Sequence, residues 1–117
     1  MKPTPDEIAS ALEDQVIGFR QAVHAMVECI PPGHIAGYGH VATWVGRPRA
    51  ARHVGYALAA LEPGTLVPWW RVTRSNGSIA LQGDPTRGPR QRKRLRDEGV
   101  EILDWKINML RYRWRPR

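Results

Sequence analysis

The stretch YGHVATWVGRPRAARHVGYALAAL, Tyr38 to Leu61, holds two short helical patterns on either side of a glycine and a proline. In the first, Val41 and Val45 lie four apart with Ala42 beside them, so Tyr38 to Val45 reads as a short helix closed by Gly46. Pro48 is then placed to open a second helix running to Leu61. On it Val54, Leu58 and Leu61 share one face, while Arg49, Arg52 and Tyr56 share another. Two short helices joined by a tight glycine turn, the second with a basic outer face, form a candidate helix-turn-helix. Such pairs also occur in proteins that never touch DNA, so spacing alone does not decide the function.

Upstream, Thr4-Pro5-Asp6-Glu7 offers a capping threonine, a proline at the first helical position and acids in the first turn. Leu12, Val16, Phe19, Val23, Met26 and Ile30 follow at steps of three and four, predicting one apolar face with Gly18 as a candidate divide between two helices. Pro31-Pro32-Gly33 stops this pattern. Downstream, Glu62-Pro63-Gly64 ends the second helix of the pair, and Leu66 to Val72 reads as an extended, aromatic-rich segment. Asn76-Gly77 reads as a turn and residues 83–88 as a loop. Pro89 is expected to open a basic helix to about Glu98, with Gly99 as its terminator. The tail around Ile102, Trp105, Ile107, Met109 and Tyr112 predicts one or two terminal strands.

With 117 residues the chain has room for one domain, and its formal charge of +7 gives a field that favours polyanions. No apolar run is long enough to cross a bilayer and the N-terminus lacks a signal-peptide layout, so a cytoplasmic protein without a membrane partner is expected. Cys29, the single cysteine, can make neither an internal disulfide nor a zinc cluster, and its apolar surroundings favour a buried structural thiol. Nothing in the chain calls for a metal or a cofactor.

Three motifs extend the reading. Gly33-His34-Ile35-Ala36-Gly37-Tyr38, then Arg49-Ala50-Ala51-Arg52-His53-Val54-Gly55, then Pro68-Trp69-Trp70-Arg71-Val72 resemble, in order and separation, the DNA-binding and active-site core of the O6-alkylguanine-DNA alkyltransferases. The enzymes read Pro-Cys-His-Arg-Val in the last motif. Tryptophan at the cysteine position, here Trp69, resembles the non-catalytic alkyltransferase-like members, as do Arg96 to Ile102 and Tyr112 to Pro116. The resemblance runs from about Phe19 to Pro116.

The resemblance implies a mainly α fold with small β elements, a winged-helix-like alkyltransferase C-terminal domain containing a helix-turn-helix. It divides the chain into an N-terminal helical extension, residues 1–17, and a DNA-binding domain, residues 18–117. It also implies minor-groove binding, with an O6-alkylguanine nucleotide rotated out of the duplex into a pocket and marked for nucleotide-excision repair. Arg52 would fill the vacated space and Tyr38 would crowd the phosphate, roles that suit a planar guanidinium and a bulky ring. Ala50, Ala51 and Gly55 would keep the helix surface low beside the sugar-phosphate wall, with Arg49 next to them. Each of these small residues, taken singly, fits tight packing inside the protein equally well.

Pro68, Trp69, Trp70, Arg71, Val72, Gln82 and Glu98 are the expected lesion pocket. Glu98 matches the glutamate of the enzymes' histidine, water and glutamate relay, but Trp69 replaces the nucleophile and Trp70 the histidine, so no alkyl transfer is expected. The family's arginine over the flipped base falls in the stretch Ile79 to Gln82, and its bracing asparagine falls near Leu61, two departures. Arg90, Arg92, Lys93 and Arg94, with Arg111, Arg113, Arg115 and Arg117 of the tail, are candidate phosphate contacts or else a solvated basic face. The partners implied are double-stranded DNA carrying O6-alkylguanine and a nucleotide-excision repair protein, with the chain a monomer. Two other classes compete. A helix-turn-helix regulator without lesion specificity would need long polar residues on its second helix, which is instead rich in alanine. An enzyme using Cys29 would need that thiol in the pocket.

Overall fold

The computed structural model describes residues 1–81 and 84–116. Thr4 opens α1 (Pro5–Glu13) with a complete capping box: its Oγ1 accepts from the Glu7 N–H at 3.2 Å, and Glu7 Oε1 accepts from the Thr4 N–H at 2.8 Å. The helix packs Ile8 and Leu12 into the main core. It ends sooner than the apolar spacing predicts, because Gln15 takes a left-handed conformation at φ 61°. That turn swings Val16 outward, leaving it 76% exposed instead of on the apolar face expected of it. Gly18 then precedes α2 (Phe19–Glu28), which buries Ala22, Val23, Met26 and Val27.

From the turn at Pro31 and Pro32 the chain enters β1 (Ala36–Gly37) and passes directly into α3 (Tyr38–Trp44). Gly46, at φ 87°, supplies the left-handed corner that an ordinary side chain would resist. Then α4 (Ala51–Ala59) sets Val54, Ala57 and Leu58 against Val41, Ala42 and Val45, all 3% exposed or less. Burying Val54 and Leu58 contributes about 1.5–3 kcal/mol each, enough to fix the crossing of two helices too short to persist alone. The second helix begins at Ala51, not at Pro48. Arg47 to Ala50 are taken up by a turn in which Arg47 N–H reaches back to Ala42 O at 2.8 Å and Ala50 N–H to Arg47 O at 2.9 Å.

The segment expected to be extended instead tightens into a 3-10 turn at Trp69–Arg71 before β2 (Val72–Thr73). β2 pairs in parallel with β1, Ala36 facing Val72 and Gly37 facing Thr73, so the start of α3 and the Trp69 turn are held side by side. The basic helix α5 (Arg87–Asp97) starts two residues before Pro89, which sits in the first turn, where its missing N–H costs little. Gly99 closes it at φ 87°. The tail forms a hairpin, β3 (Ile102–Leu103) with β4 (Lys106–Ile107), whose corner residues Asp104 and Trp105 are both left-handed. A short helix, α6 (Met109–Tyr112), replaces further strand: Asn108 caps it by accepting the Leu110 N–H at 3.0 Å. A second cluster, Ile35, Ile79, Leu95, Val100, Ile102 and Ile107, fastens α5 and the hairpin to the rest.

Candidate nucleic-acid interface

The paired helices put their basic residues outside. Arg49, Arg52 and His53 are exposed on or just before α4, and Tyr56 is 60% exposed, while Ala50, Ala51 and Gly55 are partly covered. Tyr38 lies at the first residue of α3, partly buried, with Gly55 across from it: a Cβ built on Gly55 would stand 3.9 Å from Tyr38 Cε1. That is ordinary contact, so the protein itself leaves room for a side chain there.

Behind this face is a cavity of about 540 Å³ shared by Tyr38, Gly55, Leu58, Leu61, Trp69 and Arg87. α3, α4, the 3-10 turn and α5 each contribute to its wall. Leu61, where the enzymes' asparagine is expected, is one of its lining residues. Another depression, about 480 Å³, lies between α3 and the C-terminal hairpin and contains neither Tyr38 nor Trp69. Trp69 is 8% exposed and stands edge-on to Trp70 at 6.0 Å. Burial pushes the Tyr38 phenol up, against the pull of Arg87 and Arg74, so it is uncharged at neutral pH.

The other residues grouped with Trp69 by the motif do not line this cavity. Trp70 turns its indole N–H to Glu98 Oε2 at 2.8 Å. Arg71 grips the same carboxylate, Nη2 to Oε2 at 2.8 Å and Nε to Oε1 at 3.1 Å, and gives Nη1 to Ile30 O at 2.8 Å. Gly33 N–H completes the set on Glu98 Oε1 at 3.0 Å. Burial raises the Glu98 carboxyl, but these bonds and the Arg71 charge outweigh it and hold the group below the usual carboxylate range. Glu98 is thus a tie behind the wall, and Val72 lies buried in β2. Pro68 is buried too, one residue before Trp69. Gln82 lies outside the described residues, as does Arg117.

The basic residues of α5 meet aromatic rings. The Arg94 guanidinium carbon lies 4.4 Å from the Trp70 ring centre, that of Arg92 3.9 Å from Trp105 and that of Arg90 5.7 Å from Trp69. Arg90 also pairs with Asp84 at 3.3 Å and Lys93 with Asp97 at 3.1 Å, both exposed pairs. Two residues escape the sequence reading. Gln91 is 3% exposed and donates Nε2 to Trp70 O at 3.0 Å and Val72 O at 2.8 Å, binding α5 to the 3-10 turn. Arg87, in the stretch read as a loop, lies with its guanidinium carbon 4.3 Å from the Trp69 ring centre. A helix start two residues earlier would have placed Arg87 on α5, and the i,i+4 spacing of Gln91 and Leu95 is the signal that puts Gln91 on the buried face.

Cys29 sits elsewhere. It caps α2, is partly buried and has its thiol pushed up by burial, with Sγ 3.4 Å from Ala25 O. It does not line the Trp69 cavity. No helix is long and apolar enough to cross a membrane among the described residues.

Residues 18–100 match the family model described as 6-O-methylguanine DNA methyltransferase, DNA binding domain. The chain is similar to the DNA base-flipping protein of Vibrio parahaemolyticus, 39% identical across 84% of this chain and 97% of that protein. It is also 41% identical to alkyltransferase-like protein 1 of Schizosaccharomyces pombe, over 84% of this chain and 95% of that protein. The crystal structure of the S. pombe protein Atl1 in complex with damaged DNA containing O6-carboxymethylguanine superposes with a TM-score of 0.80 at 41% identity, covering 84% of this chain and 95% of that one. With the same mainly helical fold, the chain belongs to the 6-O-methylguanine DNA methyltransferase family and, within it, to the non-enzymatic alkyltransferase-like proteins.

Proposed function

We propose that this protein recognises O6-alkylguanine in double-stranded DNA by rotating the damaged nucleotide into the cavity between Tyr38 and Trp69, and leaves the alkyl group in place. The observation that carries the reading is the cavity itself: about 540 Å³ opening beside Gly55 on the basic helix face, with an indole and no thiol in its wall. A flat indole offers apolar area to an alkyl chain and no lone pair to receive it. The relatives named for base flipping and the related complex with O6-carboxymethylguanine DNA support the same reading.

In this proposal α4 lies in the minor groove. Arg52 enters the stack and bonds the orphaned partner base, offsetting part of the few kcal/mol that unstacking costs. Tyr38 crowds the phosphate, and the low surface of Ala50, Ala51 and Gly55 lets the backbone approach. Arg49, Arg90, Arg92, Lys93 and Arg94 hold flanking phosphates. Trp69, with Pro68 behind it, forms the pocket floor, and Trp70, Arg71, Val72 and Glu98 keep that floor in position. Residues 18–117 act as the DNA-binding domain and residues 1–17 as an extension, α1, that adds Ile8 and Leu12 to the core. The chain works as a monomer whose complex marks the lesion for nucleotide-excision repair.

The test compares binding to a duplex with one O6-methylguanine and to the same undamaged duplex at near-physiological salt, with mass spectrometry of the protein afterwards. Tighter binding to the lesion with unchanged protein mass is expected. Equal binding points to a general or sequence-reading helix-turn-helix protein, and a gain in mass to an enzyme.

A further inference from the structure

Trp69 does not face the cavity bare. The Arg87 guanidinium carbon is 4.3 Å from its ring centre, and both residues line the cavity. The position is built in: Arg87 is the first residue of α5, one helical turn before buried Gln91, whose two bonds to Trp70 O and Val72 O pin the helix to the Trp69 turn. Burial makes the guanidinium less basic than usual without discharging it. Asp84, the acid whose charge acts on it, is engaged by Thr86 at 2.7 Å and by Arg90 at 3.3 Å. Among the described residues, the Arg87 side chain has neither an ion-pair nor a hydrogen-bond partner. A charged fork of N–H donors is therefore held inside a cavity, supported on an aromatic ring and without an acceptor among the described residues.

A purine alkylated at O6 still displays two neighbouring acceptors, N7 and O6, and these match such a fork; a purine with an amino group at carbon 6 shows a donor there instead. Guanine offers the same two acceptors but is held in its pair by the hydrogen bonds that alkylation weakens, so the cost of flipping separates guanine from the lesion. The edge of the ring must separate the lesion from other loosely paired purines. The geometry points to Arg87 as the residue that does so, donating to N7 and O6 of the rotated nucleotide while Trp69 supports it. This inference rests on the lesion-binding function proposed above.

The test uses three duplexes that differ at one atom group on the same 2-aminopurine ring: O6-methylguanine with methoxy at carbon 6, 2-aminopurine with hydrogen, and 2,6-diaminopurine with an amino group. Each is placed opposite an abasic position, so that pairing strength does not enter. The protein is expected to bind O6-methylguanine at least about tenfold more tightly than 2,6-diaminopurine. Arg87→Lys keeps the charge but lacks the fork, and is expected to narrow that ratio to within about threefold. Arg87→Gln, whose amide matches an N7 acceptor beside an amino donor, is expected to move the preference toward 2,6-diaminopurine. If both variants weaken all three duplexes equally and leave the ratio unchanged, Arg87 is only a structural or electrostatic support and the inference fails. If the unaltered protein does not prefer O6-methylguanine over guanine opposite cytosine, the lesion-binding proposal fails first and takes this one with it.

Discussion

Trp70 donates its indole N–H to Glu98 Oε2 at 2.8 Å, across 28 residues of sequence. The indole reaches the carboxylate directly, with no group between them. The bond has an ionised acceptor shared with Arg71 in a pair only 13% and 15% exposed, so it is of the stronger kind. Trp70→Phe keeps an aromatic ring and removes the donor together with part of the indole. The expected cost is about 1.5–3 kcal/mol in chemical denaturation, and a loss below about 0.5 kcal/mol would show that the bond contributes little.

Glu98 gives the fold a defined response to acid. Its carboxyl is held below its ordinary value in the folded chain, so its share of stability is fully present above the unfolded-state value and is lost as pH falls through the folded one. Glu98→Gln should therefore be less stable than the unaltered protein at neutral pH, with the gap closing as the solution is acidified below about pH 4.3. Unfolding curves collected from pH 7 downward check this; a gap independent of pH would assign the loss to packing.

Gly55 separates folding from binding. It lies in the middle of α4 and a methyl group there meets only ordinary contact, so Gly55→Ala should raise stability by about 0.5–1 kcal/mol. On the proposed groove face the same methyl stands between backbone and sugar. A variant that melts higher yet binds the O6-methylguanine duplex less well is expected; unchanged affinity would place Gly55 away from the DNA.

Arg52 and the α5 cations should fail in different ways. Arg52→Ala removes the group that fills the stack and is expected to weaken lesion binding by about tenfold, roughly 1.4 kcal/mol, with the salt dependence changed by no more than one phosphate's share. Arg90→Ala combined with Lys93→Ala is expected to change lesion preference less than Arg52→Ala does while lowering the slope of log affinity against log salt by about 0.9 for each phosphate that is no longer neutralised. A slope unaltered by the double change would mean that Asp84 and Asp97 keep those cations in the complex as they do in the free protein.

The sequence disclosed most where a local signal has a single physical meaning. The apolar spacing of Val41, Val45, Val54 and Leu58, the left-handed corners at Gly46 and Gly99 and the Thr4 cap each appear as read, because helix periodicity and capping are properties of a few neighbouring residues. Features set by distant partners did not show. The two-residue strands β1 and β2 are too short to carry an alternation, and their pairing joins residues 36 and 72. Val16 left the apolar face because a non-glycine residue, Gln15, adopts the left-handed conformation. Arg87 was passed over because a basic residue between threonine and glycine has loop composition; its place over Trp69 comes from Gln91, whose partners lie 19 and 21 residues away.

The four-way tie at Glu98 also bears on the order in which the molecule assembles. One carboxylate joins Gly33, 65 positions upstream, to Trp70 and Arg71, 28 and 27 positions upstream, and no local segment can form this knot by itself. Closing it requires three separate regions of the chain to meet, so its contacts have the high sequence separation whose loop-closure cost slows folding. Once made, it ties the wall behind Trp69 to three regions at once, so the wall cannot shift away from Glu98 without breaking these bonds. Substitutions near Gly33, far along the chain from any damaged base, are thereby coupled to the shape that a lesion would meet.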